Sequence, residues 1–163
     1  MLQKKICMVG AFATGKTSLV ARYVQGIYSD KYQTTVGVKI DRKTVQLSDQ
    51  ELNLILWDIH GEDEFQKIKM SYLRGSAGYI LVVDGTRRDT LGSICNLQSK
   101  VEETIGKLPF ITIINKYDLS QDWEIGDDDL DALSQKQWTY RMASARTGLG
   151  VEECFIQLAQ MII

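Results

Sequence analysis

The apolar positions of the chain fall into two kinds of pattern. Short continuous apolar runs, Lys5–Val9, Tyr79–Val83 and Phe110–Ile114, read as strands buried on both faces. Val36–Leu47 shows rough alternation, and Glu51–Trp57 follows after the turn at Ser48-Asp49-Gln50, so these two read as an antiparallel hairpin. Trp138–Met142 is a further short strand. Between the strands, Thr17–Gln25, Thr90–Ile105, Asp127–Gln135 and Val151–Ile162 carry the spacing of helices. A polar stretch, Gly61–Arg74, separates the hairpin from the next buried strand.

Strands alternating with helices predict an α/β fold. The expected architecture is a mostly parallel six-stranded sheet with one antiparallel edge strand from the hairpin and helices on both faces. The 163 residues carry no repeat, low-complexity segment or linker, so a single domain over 1–163 is expected. In open α/β sheets ligands sit beyond the carboxyl ends of the strands, and the chemically distinctive motifs of this chain fall in those loops.

The first motif is Gly10-Ala-Phe-Ala-Thr-Gly15-Lys16-Thr17, placed between a strand and a helix. Gly10 and Gly15 are expected to take backbone angles that a Cβ disfavours, which lets successive N–H groups face a phosphate. The helix that follows presents its N-terminus to the same anion. Lys16 is spaced to reach the terminal phosphates and Thr17 to give its hydroxyl to magnesium. The loop and helix start thus make Ala13, Thr14, Gly15, Lys16, Thr17 and Ser18 candidate nucleotide contacts.

The second motif is Asn115-Lys116-Tyr117-Asp118, after the strand at Phe110–Ile114. The Asp118 carboxylate can accept hydrogen bonds from both the ring N–H and the exocyclic amine of guanine, a pair adenine does not offer. Two charge-assisted bonds at about 1.5–3 kcal/mol each give about two to four decades of preference. Asn115 can bond the base edge and tie loops together, and the Lys116 stem can cover the ring face.

With these motifs in order, the chain resembles the small GTPases of the Ras superfamily, closest to the Rab branch, over essentially its whole length. The resemblance implies the P-loop NTPase fold, GTP and GDP as ligands and magnesium as cofactor. Thr34-Thr35-Val36-Gly37 resembles the first switch, which makes Thr35 a second magnesium ligand sensing the γ-phosphate, with Thr34 beside it. Trp57-Asp58-Ile59-His60-Gly61 resembles the entry to the second switch. It implies that Asp58 holds magnesium through water and that the Gly61 N–H meets the γ-phosphate. Ser144-Ala145-Arg146 resembles the last base-contacting loop, with the Ala145 N–H toward the guanine carbonyl and Arg146 in the usual lysine's place. Tyr28 falls where the family stacks an aromatic near the base, and Tyr32 where a tyrosine lids the phosphates. Lys16, Thr35, Gly61 and Glu62 form the implied catalytic set.

Two departures bear on rate. Glu62 stands where the family carries a water-orienting glutamine. A carboxylate accepts a proton but donates no N–H to the phosphoryl oxygens, and it faces their charge. At ~5 Å and an effective dielectric of ~20 the repulsion is about 3 kcal/mol, roughly two decades. Phe12 replaces a small residue of the phosphate loop, where a ring can crowd the γ-phosphate or block an incoming arginine. These departures keep open a second reading, a GTP-bound interaction module with little turnover. An ATP-using enzyme is disfavoured by Asp118.

Other features read blandly. His60 is expected to be an exposed switch residue, Asp127-Asp128-Asp129 a charged helix start, and Trp57, Trp123 and Trp138 packing residues. Cys7, Cys95 and Cys154 lack metal-site spacing and fit free thiols in a reducing compartment. A net charge of −2 does not suggest a polyanion-binding surface, so no nucleic acid is expected. Leu2 and the cysteine-free Gln160-Met161-Ile162-Ile163 carry no lipidation signal, so no intrinsic membrane anchor is expected. The chain reads as a cytoplasmic monomer, recruited to a membrane or complex through a partner. Effectors, exchange factors and activating proteins are expected on the switch surfaces, Tyr28–Val38 and Gly61–Tyr72.

Overall fold

The computed structural model describes residues 2–29, 37–61 and 68–163. Its centre is β1 (Leu2–Gly10), whose last five residues are all buried. Ile6 and Met8 face one side of the sheet and Cys7 and Val9 the other, as the two-residue period of a strand requires. A strand covered on both faces has no polar face to show, which is why it reads as an unbroken apolar run.

The other elements follow in the order α1 (Lys16–Gln25), β2 (Val38–Gln46), β3 (Glu51–Ile59), β4 (Ser76–Asp84), α2 (Arg88–Ile105), β5 (Phe110–Asn115), α3 (Asp127–Gln135), β6 (Tyr140–Met142) and α4 (Val151–Met161). The sheet is six-stranded in the order β2-β3-β1-β4-β5-β6. All neighbours run parallel except β2 and β3, which form the antiparallel edge hairpin. The expected fold class is therefore observed. The strand at Trp138–Met142 shortens to Tyr140–Met142, because Gln137 takes a left-handed φ of 63° and the chain turns there. Two short 3-10 turns, Met70–Leu73 and Tyr117–Asp122, had no periodic signal to announce them. No helix among the described residues is long and apolar enough to cross a membrane.

The helices lie on both faces. Leu19, Val20 and Tyr23 of α1 pack with Phe155, Leu158 and Ala159 of α4 under one face. Leu91, Ile94, Leu97 and Val101 of α2 pack with Leu133 of α3 under the other. Tyr23 and Phe155 stack with centroids 4.2 Å apart and planes 1° from parallel, which fixes α1 against α4.

This topology decides where a ligand sits. β1 is flanked by β3 on one side and β4 on the other: its own connection runs through α1 to the hairpin side, whereas the connection leaving β3 runs past β1 to β4. The crevice beyond the carboxyl end of β1 is the topological switch point. The glycine loop at 10–15 opens there.

Phe155 is 0% exposed. Phe155→Ala should cost about 3–5 kcal/mol through lost transfer energy and the cavity left behind. Urea unfolding at fixed nucleotide concentration, with an unchanged slope, checks this.

Candidate functional site

Gly15 and Gly10 serve the loop in different ways. Gly15 has φ 99°, and a Cβ there would lie 2.2 Å from Asn115 Nδ2. Gly10 does not have a positive φ, against expectation. A Cβ at Gly10 would instead lie 2.5 Å from the Val82 carbonyl of β4, so its requirement is close approach. The residue that joins Gly15 in the left-handed region is Ala13, at φ 62°. An alanine carries a Cβ into that region, so the loop is held there by its neighbours.

The start of α1 suits an anion. Its cap has no side-chain hydrogen bond and its first turn has no carboxylate. The other three α-helices among the described residues each carry acidic residues in the first turn. The positive end of α1 is therefore not compensated by its own sequence. Lys16 is 6% exposed and folds back over the loop, donating to Ala11 O at 2.9 Å and Gly10 O at 3.4 Å. Burial pulls its ammonium down to about 8, Asp58 acts against that, and the positive charge of Arg87 adds to it. Thr14 is 0% exposed, its hydroxyl donating to Ala11 O at 3.0 Å.

Thr17 donates its hydroxyl to Asp58 Oδ2 at 2.6 Å. Asp58 sits in β3, 1% exposed, so the fold brings a hydroxyl and a buried carboxylate from distant segments into contact. Two hard oxygen ligands beside a phosphate cradle are a donor set that fits magnesium. Asp58 leads to His60 and Gly61. A Cβ at Gly61 would lie 2.5 Å from Phe12 Cα, so only glycine lets the two loops touch. His60 is half-buried, not the exposed residue expected. Its backbone N–H donates to Gly37 O at 3.0 Å, with Nδ1 3.2 Å from the same oxygen. The hairpin register, Val38 opposite Ile59, puts it there.

The base-reading motif is built around Asn115, 2% exposed at the end of β5. Its amide donates to Thr14 O at 3.0 Å, and its Oδ1 accepts from Ala145 N at 3.3 Å. One side chain thus joins three loops that are far apart in sequence. Lys116 turns left-handed at φ 71° and sends its ammonium to Ala13 O at 3.3 Å and Asp84 Oδ2 at 2.8 Å. Asp118 is exposed, and its Oδ1 accepts from Ser144 Oγ at 2.7 Å. Ser144 is 0% exposed and Ala145 is buried at 3%. Tyr28, 38% exposed, shares a cleft of about 270 Å³ with Thr17 and Ser18. The sequence-predicted residues Tyr32, Thr34, Thr35 and Glu62 lie outside the described residues.

Sequence reading missed three supports. Arg22 of α1 donates through Nε to Ala145 O at 2.8 Å and through Nη2 to Arg146 O, fastening the last loop to the helix that carries Lys16. Trp123 donates its indole N–H to Lys116 O at 2.8 Å, so it is more than a packing residue. Arg87, three residues beyond the end of β4 at Asp84, pairs with the Asp84 carboxylate and donates to the Phe12 carbonyl. Arg22 and Arg87 reach carbonyls far away in sequence, and Trp123 reaches back across a turn, so none is encoded by a local motif. The acidic run is a helix start as expected: Asp129 accepts from Gly126 N at 2.9 Å and pairs with Arg88 at 3.0 Å.

Comparison with known proteins agrees with this arrangement. The Ras family model matches residues 5–163. Ras-related protein Rab-4 of Dictyostelium discoideum is 32% identical over 163 residues, spanning 98% of this chain and 78% of that one. Ras-related protein Rab-1 of Theileria parva is 32% identical over 161 residues, 97% of this chain and 73% of its own. Human Ras-related protein Rab-4A is 30% identical over 161 residues, 98% of this chain and 74% of its own. With its glycine loop, its Asn115 motif and all of its sheet but the first three residues of β1 inside the matched region, the chain belongs to the Ras family, as a Rab-like small GTPase.

Proposed function

We propose that this GTPase is a guanine-nucleotide switch that binds GTP and GDP with magnesium and hydrolyses GTP slowly. The observation that carries the proposal is the Asn115 bridge. Its two hydrogen bonds hold the phosphate loop, the base-reading loop and the Ser144–Arg146 loop in one frame. That frame has a cation-lined, anion-suited end at Lys16 and a carboxylate end at Asp118. A ligand with phosphates at one end and a guanine at the other matches both.

In this reading the backbone of Ala13, Thr14 and Gly15, with the start of α1, receives the phosphates. Lys16 neutralises the terminal phosphates and loses its present carbonyl contacts as it does so. Thr17 and Thr35, with Asp58 through water, would hold magnesium, which when bound would supply charge neutralisation to the phosphates. Asp118 accepts two hydrogen bonds from guanine, oriented by the Ser144 hydroxyl. The Ala145 N–H lies at the edge of the same loop, and Arg146 and Tyr28 border the base. Tyr32 and Thr34 complete the enclosure of the phosphates. Thr35 and Gly61 sense the γ-phosphate, and its loss releases the two switch segments. Effectors and regulators read those segments. The chain is a single domain acting as a monomer, recruited to a membrane or complex through a partner.

Glu62 makes hydrolysis slow by repelling the phosphoryl oxygens and by lacking an amide donor. Single-turnover hydrolysis started with magnesium tests this. Glu62→Gln should accelerate conversion by roughly ten- to a hundredfold. No acceleration means that Glu62 does not limit the rate.

Base selection has its own test. Asp118→Asn replaces an acceptor by an amide donor, which suits a 2-oxo purine. GDP affinity should fall by about two decades and xanthosine diphosphate affinity should rise, as read by competition against labelled nucleotide. An unchanged preference for GDP removes Asp118 from the base contact.

A further inference from the structure

Arg87 lies outside every motif of the chain, yet it reaches the phosphate loop. It starts from Asp84, the last residue of β4, whose side chain is 1% exposed. Asp84 Oδ1 accepts from Thr86 N at 2.9 Å and from the Thr86 hydroxyl at 2.7 Å. Asp84 Oδ2 accepts from Lys116 Nζ at 2.8 Å and from Arg87 Nε at 3.1 Å. The two cations then part. Lys116 donates to Ala13 O at 3.3 Å, and Arg87 Nη2 donates to Phe12 O at 2.7 Å. One buried carboxylate therefore carries two cations that grip consecutive carbonyls of the phosphate loop.

The backbone of Arg87 is itself fixed. Its N–H donates to Asp84 O at 3.0 Å and its carbonyl accepts from the Thr90 hydroxyl at 2.7 Å. Arg88, the next residue, turns away to Glu124 and Asp129. An exposed ion pair alone would matter little. Arg87 differs because separate nitrogens of its rigid fork engage a buried carboxylate and a backbone carbonyl at once. The carbonyl it holds belongs to Phe12, the residue against whose backbone Gly61 packs.

We propose that Arg87 is a positioning residue of the phosphate loop, fixing Phe12 so that Gly61 meets the γ-phosphate at the right depth. The proposal rests on the nucleotide-switch reading above and adds a residue to it. Because Gly61 is one of the two residues of that reading that sense the γ-phosphate, loss of Arg87 weakens the triphosphate complex more than the diphosphate complex.

The test is the release of fluorescent GDP and of a fluorescent non-hydrolysable GTP analogue from the full chain, for wild type, Arg87→Ala and Arg87→Lys. Melting temperatures of the GDP-bound proteins are recorded alongside. Arg87→Ala should release the triphosphate analogue about five- to tenfold faster and GDP less than about threefold faster. Arg87→Lys keeps the charge beside Asp84 but lacks the fork. It should recover the melting temperature without recovering the release ratio. Equal acceleration of both nucleotides, restoration of the ratio by lysine, or unchanged release in Arg87→Ala would each overturn the proposal while leaving nucleotide binding intact. A wild-type chain that retains neither nucleotide overturns both this proposal and the reading beneath it.

Discussion

The site depends on the buried amide of Asn115. A primary amide with both donor and acceptor capacity is rarely placed in a core unless both are used. Here the donor goes to Thr14 O and the acceptor to Ala145 N. Those two loops and the one that carries Asn115 come from three regions of the chain, so one side chain sets the spacing between the phosphate end and the base end. Gly15 is glycine partly for this reason, since a side chain there would displace the amide. In a buried setting such a bond costs more to lose than to make, because the orphaned partner stays desolvated.

Around that bridge the structure builds a second, charged frame. Asp84 holds Lys116 and Arg87 under the loop, and Arg22 reaches from α1 to the Ala145 and Arg146 carbonyls. Burial acts to raise the Asp84 carboxyl, but the hydrogen bonds from Lys116 and Thr86 outweigh it and hold it below the ordinary carboxylate value. The loops are thus braced by cations that contact backbone carbonyls, while the backbone N–H groups at the start of α1 are left for an anion. That division explains how a loop containing Ala13 in a left-handed conformation stays in place.

Much of this was legible in the sequence. Continuous apolar runs announced β1, β4 and β5 because those strands are buried on both faces. Alternation announced the hairpin because β2 lies at the sheet edge. The glycine loop and the Asn115 motif were legible because their chemistry is local, a few residues doing one task. Arg22, Arg87 and Trp123 were not, because each acts on a carbonyl that only the fold brings near. Gly10 shows the same limit: a glycine in a phosphate loop suggests unusual torsion, but the neighbouring strand β4 is what excludes a side chain there. His60 looked exposed because the motif assigns it no partner. Pairing of Val38 with Ile59 supplies one, by placing Gly37 O beside it.

The most direct test of the account is the rate of GDP release from Asn115→Ala compared with wild type, at fixed magnesium and temperature. Loss of both bridging bonds from a buried position predicts release faster by about two decades, with the GDP-bound protein still folded. Release within about twofold of wild type would mean that the three loops are not held by Asn115, and the frame proposed for this site would be wrong.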